Sequence, residues 1–323
     1  MIDLIGYGAF FLINALIFAL ITLGLNLQWG LTGLFNVGVA GFVAIGAYVS
    51  ALLTTPDDPA RFGGFDLPIL IGWAVAMAAS SLAAAVTGFA TLRLRSDYLA
   101  ITTFGVAVVV QLVALNAQSL TGGAFGIGFI PRPFAGLAEN PLAFNLSNLA
   151  VVAAVTLVAW LALEHLSRSP WGRVLKALRE DERAAVSLGK SARFYRIQAF
   201  AVGGALMGLA GAVQAHFIGF IAPDNYAPML TFQIWVMLIV GGSGSNLGAV
   251  VGAVLVWAIW AGSGAATAAF FPPEQQARAA SLQIVAIGVM LCLILLFRPS
   301  GLFGDRPFRR RLGLKARKPL ETP

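Results

Sequence analysis

The chain has 323 residues and a formal net charge of +7; 59% of the residues are hydrophobic and only 11% are charged. Soluble domains contain about 25% charged residues because they must cover themselves with polar surface, so this composition excludes a water-soluble domain. The single cysteine, Cys292, excludes an intrachain disulfide, and with only two histidines the sequence predicts no metal site built from several His or Cys ligands.

Continuous apolar runs predict the fold class, an all-α integral membrane protein with about nine transmembrane helices, some of them short, broken or re-entrant. A helix needs about 20 residues to cross the hydrocarbon layer, whereas the strands of a membrane β-barrel alternate over about ten. No basic residue precedes the first run, so we predict a retained helix and not a cleaved signal peptide. The runs lie at 7–27, 37–53, 67–92, 98–116, 148–163, 198–221, 229–241, 247–262 and 281–297.

These runs predict one transmembrane domain, 1–300, followed by a basic tail, 301–323. The runs 229–241 and 247–262 are short and joined by a glycine turn, so they form either two spans or a re-entrant pair. Segment 163–198 and the tail from Arg298 are rich in Lys and Arg, whereas the loop 54–66 is acidic overall. Because basic loops stay in the cytoplasm, we expect an outside N-terminus and a cytoplasmic C-terminus. The tail is expected to lie on membrane lipid and not to bind nucleic acid.

The loop 165–197, called the charged loop below, is the one large connection predicted on the cytoplasmic side. Ser169 and Pro170 are typical of a helix start, and Gly189 is typical of a helix end. Apolar residues recur at helical spacing around a charge cluster at 179–183. One or two short amphipathic helices are therefore predicted. They either lie on lipid headgroups or dock a soluble partner; the mixed sign of the charges favours a partner.

Three glycine-rich stretches, 33–41, 121–128 and 241–248, can break helices. Such breaks are tolerated at membrane depth only where they line a cavity or are buried in protein; otherwise they are ordinary turns. The connection 117–147 is predicted to be an external, shaped loop that either seats a binding protein or simply covers the helices. The residues predicted to line a passage are neutral: Asn36, Gly38, Thr102, Thr103, Thr121, Gly122, Gly123, Gly241 and Gly242.

Several functions are disfavoured by what the sequence lacks. It contains no G-x-x-x-x-G-K-[ST] run for ATP phosphates, so any ATPase must be another polypeptide. The predicted spans hold almost no acidic residues, which disfavours an ion- or proton-coupled carrier acting alone. His216 is expected to be a hydrogen-bonded residue at a helix interface. No catalytic residues are assigned, since no protease motif of an intramembrane enzyme occurs.

Six motifs, in order, resemble the permease subunits of branched-chain amino acid ABC importers, most closely the LivM-type subunit. Ala249 stands where proline is common in that family. The resemblance covers most of the chain, and its motifs lie at 30–38 with 41–48, 94–103, 121–127, 172–189 with 195–196, 203–212 and 240–248.

The resemblance implies an ATP-driven importer in which this chain is not itself an enzyme and forms half of the pathway in a bacterial inner membrane. The implied partners are a second, LivH-like permease, two ATPase subunits that use ATP and Mg, and a periplasmic protein that delivers leucine, isoleucine or valine. No cofactor is expected on this chain. Close relatives carry urea or short amides, so that substrate class is the alternative. The implied ATPase-coupling residues are Arg179, Glu180, Asp181, Glu182, Ala184, Ala185, Leu188 and Gly189.

Overall fold

The computed structural model describes residues 2–57, 62–91, 96–137 and 139–270. Beyond 270 it describes only residues 272, 275, 281, 282, 285, 288, 289, 292, 293, 296, 297 and 301–303. Across these residues every regular element is helical, and strand-like pairing is limited to one bridge between Ile127 and Ile221. The predicted all-α class is confirmed. The basic tail from 304 onward, and eight of the 17 residues of the predicted ninth span, lie outside the described residues.

Eleven α-helices occur within the described residues, and a π-helical turn, Asn26–Leu31, extends the first of them. Shorter 3-10 turns lie between α5 and α6 and between α9 and α10. The helices are α1 (Ile2–Leu25), α2 (Val39–Thr54), α3 (Ile69–Thr91), α4 (Ser96–Asn116), α5 (Gln118–Thr121), α6 (Pro141–Arg168), α7 (Pro170–Glu180), α8 (Glu182–Ser187), α9 (Ala192–Ile218), α10 (Pro228–Gly241) and α11 (Asn246–Phe270).

Eight of the nine predicted spans coincide with a described helix. Six are long and apolar enough to cross a membrane, namely α1 with its π turn, α3, α4, α6, α9 and α11. By contrast, α2 has 16 residues and α10 has 14. At about 1.5 Å per residue they are shorter than the roughly 30 Å hydrocarbon layer. The prediction that some spans are short is confirmed, while the count of nine stays a prediction.

Two predicted boundaries were wrong. The run 148–163 corresponds to the much longer α6, which begins at Pro141 because the Asn140 side chain caps it by accepting a hydrogen bond from the Ala143 amide at 3.3 Å. Helix α11 continues to Phe270, well past the predicted end at 262. Since α11 alone can cross a membrane, its length favours two spans over a re-entrant pair for α10 and α11.

Helix α9 is the centre of the bundle because its small residues let other backbones come close. A Cβ at Gly46 of α2 would lie 2.1 Å from the Gly208 carbonyl oxygen, and one at Gly211 would lie 2.1 Å from the Val43 carbonyl oxygen. The Ser80 hydroxyl of α3 lies 2.8 Å from the carbonyl oxygen of Gly204. Small residues at helix contacts are typical of membrane bundles. Most residues of α1 and α9 are buried, whereas fewer than a third are buried in the apolar segments of α3, α4, α6 and α11.

Candidate functional site

The charged loop folds as two short helices, and local capping explains both of them. Ser169 caps α7, its hydroxyl accepting a hydrogen bond from the Gly172 amide at 3.4 Å, and Pro170 occupies the first turn. The Asp181 carboxylate caps α8 by accepting from the Ala184 amide at 3.0 Å. Gly189 adopts a left-handed φ of 78° just after α8. The predicted helix start at Ser169-Pro170 and the predicted end at Gly189 are confirmed.

Side chains on both helices fix this loop to the bundle. Leu175, Leu178 and Ala185 are buried. The Trp171 indole donates a hydrogen bond to the Gln198 side chain of α9 at 2.9 Å. Two guanidinium nitrogens of Arg196 donate to the Glu182 carboxylate, at 3.0 and 2.9 Å. Bidentate pairing of this kind restricts geometry more than a single ion pair does, so α7 and α8 are held as a unit against α9.

The opposite face of the loop is open. The Leu188 side chain is 80% exposed, and Val186 is half-exposed. Val186 also borders an open cleft whose other walls are the charged residues 180–183. Large apolar side chains exposed beside charges are typical of surfaces that contact another protein. Among the eight residues implied for coupling, the exposed ones are Arg179, Glu180, Asp181, Glu182, Ala184, Leu188 and Gly189.

Two members of that set contact the rest of the protein. Ala185 is buried against the bundle. The Arg179 guanidinium donates a hydrogen bond to the backbone carbonyl of Gly30, in the π-helical turn at the end of α1. Arg179 therefore joins the charged loop to the first glycine-rich stretch of the sequence. From its place in the charge cluster, Arg179 was expected to act at the surface. Nothing in the sequence indicated its contact with Gly30.

Residues 32–38, called the α1–α2 break below, leave helical geometry between two apolar helices. The Val37 amide donates to the Thr103 hydroxyl at 3.0 Å. Thr103 lies about two turns along α4 from Ser96, at 3.6 residues per turn. The break thus runs beside the length of a spanning helix and not beyond its end, which favours an interruption within the bundle over an ordinary turn for the stretch 33–41.

Buried side chains satisfy the polar groups of this break. The Asn36 amide donates to the Gln28 side chain at 2.7 Å and accepts from the Gly38 amide at 2.8 Å. The Trp235 indole donates to the Asn36 carbonyl at 3.0 Å. Asn36 and Thr103 are both 0% exposed. The break is therefore of the kind tolerated because protein surrounds its polar groups.

The other residues predicted to line a passage fall into separate places. The Thr102 hydroxyl bonds its own helix, donating to the Tyr98 carbonyl at 2.7 Å. The Thr121 hydroxyl donates to the Ala114 carbonyl at 2.6 Å, and Gly122 and Gly123 follow with positive φ. This turn closes the end of α4 that lies farthest from α7. The structure does not bring these residues together with Asn36.

Gly241 and Gly242 lead into the turn 242–245 between α10 and α11, called the glycine turn below. A Cβ at Gly241 would lie 2.0 Å from the Gly248 carbonyl oxygen. This contact shows that only glycine allows α10 and α11 to approach so closely here. The Gly244 amide donates to the Asn26 side chain in the π turn at 2.8 Å. The second and third predicted stretches are therefore not equivalent, because only the glycine turn contacts α1.

A chain of polar contacts extends from this turn to α6. The Asn26 amide donates to the Asn246 side chain at 3.0 Å, and the Asn246 amide donates to the Glu164 carboxylate at 2.9 Å. Glu164 also pairs with Arg168 at 2.6 Å. No sequence motif singled out Glu164. Its place four residues before Arg168, near the end of α6, was the available signal.

The second glycine-rich stretch, 121–128, belongs to the loop 117–147, which is shaped by short helical turns as predicted. His216 fixes this loop to the bundle: one ring nitrogen lies 2.7 Å from the Pro131 carbonyl and the other 2.9 Å from the Ser50 hydroxyl. The prediction of a hydrogen-bonded interface residue is confirmed. Phe125 and Phe129 of the same loop are 85% and 94% exposed.

Comparison with known proteins identifies the family of this helical arrangement. A family described as the permease component of the branched-chain amino acid transport system matches residues 8–295. The chain belongs to this permease family. Because the match spans nearly all of the predicted domain, the permease is a multi-pass membrane protein, and the resemblance of the six motifs is confirmed.

Several curated relatives align with the permease over most of its length. LivM of Escherichia coli, named a high-affinity branched-chain amino acid transport system permease protein, is 31% identical over 89% of this chain and 68% of its own. A protein of Methanocaldococcus jannaschii named as a probable LivM is 26% identical over 90% and 91% of the two chains. LivH of Escherichia coli is 27% identical over 89% and 91%. No solved structure matches the chain.

Proposed function

We propose that the permease is one transmembrane subunit of an ATP-driven importer for leucine, isoleucine and valine or related hydrophobic amino acids. The names of its relatives support this substrate class. The permease aligns with both LivM and LivH relatives over nearly nine-tenths of its length, so two permeases of one system can share this fold. We therefore propose a second, LivH-like permease that forms the other half of the pathway.

The exposed apolar surface of the charged loop is the observation that carries the ATP-driven part of the proposal. Leu188 and Val186 project from a helix pair that the contacts to α9 hold in place. An exposed apolar residue on a helix pair that is fixed to the bundle gives a partner protein a contact site, and a force applied there is passed to the bundle. Two ATPase subunits would dock here and would bind the ATP and Mg, because the permease sequence has no phosphate-binding motif. The permease itself would bind no cofactor and catalyse no reaction.

Loop charge supports an orientation with the charged loop in the cytoplasm of a bacterial cell. The N-terminus would then lie outside the inner membrane and the C-terminus inside. The loop 117–147 would face outward, where the exposed rings of Phe125 and Phe129 offer apolar contacts to a periplasmic binding protein. The positive φ of Phe129, 55°, is rare for a bulky residue. This unusual backbone supports a specific role for the exposed Phe129 ring.

The proposed route for the amino acid passes along neutral groups and not charged ones. Amide and hydroxyl groups guide a zwitterion without trapping it, which suits a pathway fed by a high-affinity binding protein. Thr32, Leu34 and Asn36 of the α1–α2 break are buried in this conformation. Opening of the route would therefore move the break, together with the glycine turn that contacts α1.

Uptake by proteoliposomes tests this function. The permease is reconstituted with its partner permease and ATPase subunits, and the binding protein is added outside. We expect ATP-dependent uptake of labelled leucine that unlabelled valine competes and urea does not. If urea competes with leucine and valine does not, the substrate class is instead urea or short amides. Uptake by the permease alone, driven by a sodium or proton gradient without ATP, would contradict the proposal.

A further inference from the structure

The C-terminal end of α1 has no basic residue of its own. Neither the last turn of α1 nor the π turn, Asn26–Leu31, contains Lys, Arg or His. Free carbonyl groups give the end of a helix partial negative charge, which a cation stabilises. Here the cation comes from a different element, because the Arg179 guanidinium of α7 donates to the Gly30 carbonyl. A Cβ at Gly33 would also lie 3.5 Å from Arg179 Cγ, so the arginine stem packs over the start of the α1–α2 break.

Gly30 is confined on its other side by the glycine turn. A Cβ at Gly30 would lie 2.6 Å from the Gly244 amide nitrogen and 2.1 Å from the side-chain oxygen of Asn26. That oxygen accepts the hydrogen bond of the Gly244 amide. The carbonyl that Arg179 holds therefore belongs to a segment packed between the charged loop and the glycine turn. If Arg179 shifts, either this segment moves with it or the hydrogen bond to the Gly30 carbonyl is lost.

We propose that Arg179 is a positioning residue that transmits displacement of α7 and α8 to the α1–α2 break and the glycine turn. This inference rests on the proposed function, since the displacement would come from docked ATPase subunits. From Gly30 the motion would reach Asn36 and Gly38, and through the Val37 amide it would reach Thr103 of α4. Arg179 thus connects the docking surface to the non-helical segment beside the spans.

The other connections of the charged loop lead to a less deformable element. Trp171 and Glu182 bond to Gln198 and Arg196 of α9, and α9 packs on its neighbours through close backbone contacts. A helix packed in this way moves as a rigid body. Non-helical segments absorb the dihedral changes of a conformational transition. Among the hydrogen bonds described for the charged loop, the one from Arg179 leads to a segment able to change shape.

Hydrogen exchange of the permease in lipid nanodiscs tests the contact without any substrate. We compare Arg179→Ala with Arg173→Ala, which removes an exposed positive charge from the same helix, and with the conservative Arg179→Lys. Losing a hydrogen bond from a charged donor is expected to speed exchange in peptides covering 30–38 by about ten-fold. Arg173→Ala should leave these peptides unchanged, and Arg179→Lys should fall between. No acceleration, or an equal acceleration throughout α9, would overturn the proposal.

The number of amino acids imported per ATP hydrolysed tests transmission in the complete importer. We expect Arg179→Ala to lower this ratio by about ten-fold while the ATPase subunits remain bound, with Arg173→Ala at the wild-type ratio. An unchanged ratio, or a parallel loss of assembly, hydrolysis and import, would show that Arg179 does not transmit motion. If the wild-type complex imports no amino acid, the proposed function fails instead, and the exchange experiment still decides the role of Arg179.

Discussion

The α1–α2 break and the charged loop are both interruptions between long helices, yet their side chains are arranged in opposite ways. The break has neutral polar groups, all those of Asn36 paired with buried partners. The charged loop buries its apolar residues on one face and displays Leu188 with several charges on the other. Polar groups away from water need partners within the protein, whereas exposed charges do not. The comparison indicates that the break serves an internal conformational role and the loop an external docking role.

Replacing Asn36 should have the largest effect on the stability of the permease. Asn36→Leu leaves the Gln28 side-chain oxygen and the Gly38 amide without these partners, and unsatisfied buried polar groups cost about 1–3 kcal/mol each. We expect a clear fall in the midpoint of thermal unfolding in detergent, followed by fluorescence-detected gel filtration. Asn116→Ala is the matched control, because Asn116 is exposed and bonds only its own helix. If both variants unfold at the same midpoint temperature, the distinction between buried and exposed polar residues is contradicted.

Replacing Leu188 should act on assembly and not on the fold. An apolar residue at the centre of an interface typically contributes about 1–3 kcal/mol to binding, so Leu188→Asp should weaken the affinity for the ATPase subunits by about ten-fold or more. The thermal midpoint of the isolated permease should not change, since the side chain is 80% exposed. Leu188→Met, which keeps an apolar contact, should bind nearly as wild type. If Leu188→Asp binds the ATPase subunits with wild-type affinity, Leu188 is not part of the docking surface.

Removing the ion pair that holds α8 should have the smallest effect. The Glu182 side chain is 48% exposed and Arg196 is 19% exposed, and solvent screening limits such pairs to about 1 kcal/mol or less. Glu182→Gln should therefore lower ATPase affinity by at most a few-fold, and less at high salt. A loss as large as that of Leu188→Asp would mean that Glu182 itself contacts the partner, which would sharpen the map of the docking surface.

The sequence predicted the fold class, eight of the spans and both ends of the helix pair in the charged loop because those features depend on local signals. Ser169, Pro170 and Gly189 act on residues within one turn of themselves. The predicted start at 148 was wrong because polar residues such as Asn145 and Asn148 hide the first turns of α6 from an apolar-run search. Asn148 is in fact buried and bonds its own helix.

The sequence could not predict how the interruptions meet. Arg179 and Gly30 are 149 positions apart, and Asn26 and Asn246 are 220 apart. Such contacts depend on how whole helices pack, and no pattern along the chain reports it. Thr102, Thr121 and Asn36 were grouped as neutral residues beside glycines, but in the structure they lie in three places. Composition identified residues suited to a passage and gave no measure of the distance between them.

The division of roles between the two regions is tested most directly by titrating the ATPase subunits against the paired permeases in nanodiscs. Asn36→Leu and Leu188→Asp are measured side by side, each at a temperature where its fold is intact. We predict that Leu188→Asp weakens binding by about ten-fold or more while Asn36→Leu binds as wild type. Equal weakening by both variants, or weakening by Asn36→Leu alone, would contradict a docking role confined to the charged loop.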